Sequence, residues 1–99
     1  MSTTKLSNIS IAKFEAFLEL AECQFKKNEK GHVKYTRADL ARPLIFQNHI
    51  DPIPEFIIKN LLRLLSYSKD DFIDILNGDK LIIRNGNIFT LVDKQPKTL

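Results

Sequence analysis

Apolar residues recur near the start of the chain at three- and four-residue steps: Ile11, Phe14, Phe17, Leu18, Ala21 and Phe25. That spacing places them on one face of a helix, and Ser10 is a good N-cap, so a first helix is expected from about Ile11 to Lys27. Asn28 to His32, with Gly31, breaks the period, and Val33 to Tyr35 is short and β-prone. Thr36 and Asp39 then have the spacing of a capping box, which predicts a second, short helix. Pro43 must kink, stop or restart it around Leu44 to Phe46.

Gln47 to Pro54 reads as a connection punctuated by Pro52 and Pro54, with Pro54 suited to open a third helix that runs to Leu65. Phe56, Ile57, Ile58, Leu61, Leu62, Leu64 and Leu65 leave that helix one narrow polar stripe of Glu55, Lys59 and Arg63, so burial on most sides is expected. Ser68 with Asp71 forms a second capping-box pair, Phe72, Ile73, Ile75 and Leu76 supply the apolar side of a fourth helix, and Asn77-Gly78 closes it.

The last elements are two β-type runs hinged on Asn85-Gly86, a dipeptide suited to the positive φ values of a type I′ turn. A turn there pairs Arg84 with Asn87, Ile83 with Ile88, Ile82 with Phe89 and Leu81 with Thr90. One face then carries Leu81, Ile83, Ile88, Thr90 and Val92, and the other Lys80, Ile82, Arg84, Asn87, Phe89 and Leu91. Both faces are apolar near the middle. Either the rest of the chain covers the face of Ile82, Phe89 and Leu91 (or its counterpart), or that face meets a second copy or another protein.

A chain of 99 residues holds one domain with a modest core, and 43% apolar with 27% charged residues is ordinary for a globular protein. The domain is expected over residues 10–92, with 1–9 and 93–99 as flexible ends. Cys23 is the only cysteine, which excludes an internal disulfide and points to a reducing, cytoplasmic setting. No apolar run approaches the roughly 20 residues of a membrane-spanning helix.

Charge changes the picture more than composition does. Lys26, Lys27, Lys30, Lys34, Arg37 and Arg42 face only Glu29 and Asp39 in their segment, a local excess larger than the chain's net +3. The remainder is therefore weakly acidic. Such a patch can meet phosphates by counterion release, or serve simply as a solvated, solubilising segment.

The order helix, short strand, helices and closing hairpin resembles the winged helix-turn-helix family over Ser10 to Val92. The segment Thr36-Arg37-Ala38-Asp39-Leu40-Ala41 looks like the start of a helix-turn-helix, and Lys80 to Val92 looks like the wing. The resemblance implies an α+β, mainly α, winged-helix-like fold of four helices and a C-terminal hairpin. It also implies a small duplex-DNA-binding transcriptional regulator, with a helix in the major groove and a wing on the backbone. Lys59, Asn60 and Arg63 are then candidate readers, Arg84, Asn85 and Asn87 candidate wing contacts, and Lys26, Lys27, Lys30, Lys34, Arg37 and Arg42 a backbone clamp. The fourth helix fits that role poorly, since Asp70, Asp71 and Asp74 outnumber Lys69.

Catalysis has little support. His32 and His49 are far apart and lack Cys, Asp or Glu neighbours at metal-ligand spacing, Cys23 reads as a packing residue, and no phosphate loop, serine elbow or dinucleotide fingerprint is present. A non-enzymatic chain is expected, with no metal, cofactor, small-molecule substrate or membrane. The alternative to DNA binding is a protein-interaction module, a small inhibitor or adaptor of the sort mobile elements encode. A homodimer or a protein partner is expected through Ile82, Phe89 and Leu91.

Overall fold

In the computed structural model, which describes residues 6–94, an N-terminal helix is followed by a three-stranded sheet, two further helices and a separate hairpin. The order is α1 (Ile11–Leu20), β1 (Gln24–Glu29), β2 (His32–Thr36), β3 (Leu44–Gln47), α2 (Glu55–Leu65), α3 (Lys69–Asn77), β4 (Lys80–Asn85) and β5 (Ile88–Asp93). Both sheets are antiparallel, with order β1-β2-β3 in one and β4-β5 in the other. This corrects the expected mainly helical, four-helix winged-helix-like architecture: the described residues form three helices and five strands, with about equal helix and strand content.

Two expected helical stretches are strands or turns instead. The first helix ends at Leu20 rather than Lys27, because Glu22 adopts a left-handed φ of 66° and the Cys23 N–H donates back to the Leu18 carbonyl. That closing bond belongs to the usual left-handed helix end, here built without glycine. Phe25 therefore lies on β1. The second expected helix does not form. Asp39 accepts the Arg37 guanidinium instead of capping a helix, and Leu44 to Gln47 becomes β3, with Leu44 and Phe46 buried and Ile45 and Gln47 exposed.

The other two helices match expectation closely. Pro54 caps α2, and Ser68 and Asp71 exchange both bonds of a capping box at the start of α3. Gly78 closes α3 in the left-handed region, where the Asp79 N–H reaches the Asp74 carbonyl.

The core forms where α1 lies between the three-stranded sheet and α3. Phe14 meets Phe46 edge-on with ring centroids 5.5 Å apart, and Phe17 meets Phe72 at 4.7 Å. Ile58, Leu61, Leu62 and Leu65 of α2 and Ile82 of β4 complete the same cluster. Leu6 and Ile9, expected to precede the domain, are also buried, and Ile9 bridges to Ile53. The rest of the expected flexible ends, residues 1–5 and 95–99, lies outside the described residues. No described helix is long and apolar enough to cross a membrane.

Candidate interaction surfaces

The basic segment is rearranged by the fold. Its first part is the β1–β2 hairpin, turned by Lys30 and Gly31 with φ of 53° and 82°, the two positive values that a type I′ turn requires. All six residues of β1 are exposed, and the ladder slips between Phe25 and Lys27. Across the open face run two rows of side chains, Lys27, Lys34 and Ile45 in one and Glu29, His32 and Gln47 in the next. Lys27 is drawn to Glu29 at 2.9 Å, which holds the Glu29 carboxyl below its ordinary pKa.

Arg37 is no part of that surface. It is 6% exposed, and its guanidinium donates to both Asp39 oxygens, to the Ala21 carbonyl at 2.9 Å and to the Tyr67 hydroxyl at 2.8 Å. It also lies over the rings of Tyr67 and Phe89, 4.6 Å from the Phe89 centroid. Burial works against its charge, but the bonds to Asp39 and Tyr67 outweigh it and raise the pKa, while the same contact holds Asp39 low. Arg37 therefore joins the end of β2 to α1, α2's exit and the second hairpin, and its place in a DNA clamp is corrected to an internal tie. The sequence signal is the Arg37-x-Asp39 spacing: Asp39 pairs with Arg37 rather than forming the expected capping box with Thr36.

Arg42 leaves the ribbon too, lining a shallow surface with Asn60, Arg63 and Leu64. Arg63 donates to Asn60, and Lys59 pairs with Glu55 across one helical turn. Arg84 donates to the Gly86 carbonyl and lies over Phe89, while Asn85 and Asn87 are exposed at the tip of the second hairpin. The twelve candidate nucleic-acid residues thus fall into four places: the β1–β2 ribbon, the buried Arg37 cluster, the α2 surface and the β4–β5 tip.

The second hairpin turns one residue later than expected. Asn85 pairs with Ile88, and of the intervening Gly86 and Asn87 only Gly86 has positive φ, the pattern of a type II′ turn. Each β4 residue meets a partner two positions further along, so the two faces keep their expected membership. Ile82 is buried, and Phe89 and Leu91 pack partly against the core, which turns the expected partner face inward. Its counterpart is open: Leu81 is 44% exposed, Ile83 50% and Ile88 66%.

A concave apolar surface lies between β3 and the start of α2. Ile45, Phe46, Ile50, Ile53, Phe56 and Ile57 line a cavity of about 260 Å³, with Pro54, Gln47 and His32 completing it. Phe56 is 64% exposed at its rim. No local sequence signal marks this groove, because it forms only where β3 meets the start of α2. Cys23, immediately before β1, is buried, and burial pushes its thiol up to about 11, so it is protonated at neutral pH.

Comparison with known proteins adds no relative: the chain matches no family model, no curated protein and no solved structure.

Proposed function

We propose that this protein is a protein-interaction module that receives an apolar segment of a partner in the groove between β3 and α2. The observation that carries the reading is the groove itself, walled by aliphatic and aromatic side chains and left open with Phe56 in water. Burying such side chains against a partner gains about 25 cal/mol per Å², and a concave apolar site with few polar groups is the usual form of a docking pocket. The lone Cys23 fits a cytoplasmic setting. In affinity capture from cells that carry the protein, the wild type retains a partner that Phe56→Asp loses at an unchanged urea midpoint. Recovery of the same proteins by both would overturn the reading.

A second reading, a small DNA-binding regulator, is favoured by the β1–β2 ribbon alone. β1 stands in solvent with Lys26 and Lys27, Lys30 is exposed at the turn and Lys34 is half-buried on β2, and a two-stranded ribbon has the width of a major groove. Random duplex DNA should then bind with an affinity that falls steeply with salt, and alanine at Lys26, Lys30 and Lys34 should reduce that slope. Loss of Arg37 and Arg42 from the patch weakens this reading relative to the first.

A further inference from the structure

The apolar groove does not end at a neutral rim. Ile45 and His32 belong both to the groove and to an adjoining concavity lined by Lys27, Glu29, Lys30 and Lys34 on the open face of the sheet. One continuous surface therefore runs from Phe56, across Ile45, to three lysines. Within it Lys27 and Lys34 are direct cross-strand partners, a like-charge pair that costs stability and that Glu29 offsets in part, bonded to Lys27 and attracting Lys34 through space. An anion laid over Lys30 and Lys34 would relieve that repulsion and meet a complementary field.

We propose that the partner segment is acidic: its apolar side chains enter the groove between β3 and α2 while its carboxylates lie over Lys27, Lys30 and Lys34. This rests on the protein-interaction reading and names the chemistry of the partner. A protein segment fits better than nucleic acid, because a phosphate backbone offers nothing to fill an aliphatic cavity and Glu29 stands within the basic face. Apolar anchoring supplies the affinity, and the charges supply orientation and choice of partner.

Selection of random peptides on the immobilised full chain tests both parts. Enriched peptides should carry Asp or Glu beside a large apolar residue. By fluorescence anisotropy, their binding should weaken about tenfold or more in Phe56→Asp and in the Lys30→Glu, Lys34→Glu double variant, at positions where Lys30 is exposed and Lys34 half-buried on the open face of the sheet. Replacing the peptide's acids with lysine should restore binding to the double variant. Enriched peptides without acidic excess, indifferent to the charge reversal, would overturn the acidic partner while leaving the groove in place. No enrichment at all would overturn both. Random duplex DNA that binds and is lost in the double variant but not in Phe56→Asp would overturn both in favour of nucleic acid.

Discussion

The two hairpins, β1–β2 and β4–β5, share a connection of two residues but meet water in opposite ways. The first turns at Lys30-Gly31, keeps all of β1 exposed, and protects its free edge with lysines and a slipped register, devices that discourage further strand pairing. The second runs Ile88-Phe89-Thr90-Leu91-Val92 without a charge before Asp93, and it is apolar on both faces. One face is pinned to the core by Ile82, Phe89 and Leu91, and the other is left open. Backbone pairing is thus common to both, and side-chain chemistry decides how each is held: the first by Val33 and Tyr35 of β2 with β1 left in solvent, the second by one face of both strands. Arg37 ties them together, leaving the end of β2 to lie over Phe89 of β5.

The sharpest test of this contrast is a pair of neighbours on β4. Ile82→Asp buries an unpaired carboxylate in the core and should cost more than about 3 kcal/mol, enough to unfold a marginal domain. Ile83→Asp, one residue on and half exposed, should stay within about 0.5 kcal/mol of wild type. Urea midpoints distinguish them, and equal losses would break the assignment of faces.

Arg37→Ala comes next, at about 3 kcal/mol, because it strands the Tyr67 hydroxyl and the Ala21 carbonyl and removes a cation from two aromatic rings. A surface arginine would show almost no loss in the same urea titration.

The carboxylates that anchor the hairpins should differ in the same sense. Burial alone would raise the Asp71 pKa, but the Ser68 N–H and the Lys80 ammonium, 2.9 Å away, bring it below the ordinary carboxylate range. Asp39, bonded to Arg37, is lowered as well. A depressed folded pKa contributes stability that is complete above the ordinary value and lost as pH falls through the folded one. The thermal midpoint should therefore hold near neutrality and decline below about pH 4. Asp71→Asn should cost about 1 kcal/mol at pH 7 through its capping bond. Glu29→Gln, in an exposed pair on the first hairpin, should leave stability unchanged.

The smallest effect concerns the lysine row. Lys34→Ala removes a like-charge neighbour of Lys27 and should be neutral or stabilising by a few tenths of a kcal/mol, more at low salt than at high. A clear loss of stability would show that Lys34 is held by the fold rather than left for a ligand.

How far the sequence foretold these features depended on local chemistry. All three helices end with a left-handed residue and a backward N–H bond, at Glu22, Ser66 and Gly78. Only the glycine announces itself, so α3's end is readable, while α1 is expected to run on to Lys27. α2's end was found from its apolar run stopping at Leu65. The β4–β5 turn was misplaced by one residue, yet the faces survived because partners shifted by two, the period of side chains along a strand. Thr36 and Asp39 misled because their capping spacing is local, whereas the Arg37 bonds to Ala21 and Tyr67 cross 16 and 30 residues. The groove was missed for the same reason: it exists only once β3 and α2 meet.

Size-exclusion chromatography with light scattering, on the protein with random duplex DNA at about 50 and about 200 mM salt, tests most directly whether the apolar groove rather than the basic ribbon is the primary surface. Protein and duplex should elute separately at the higher salt, with the protein at the mass it has alone. A protein–DNA complex that persists there, and disappears when Lys26, Lys30 and Lys34 are changed to alanine, would contradict it.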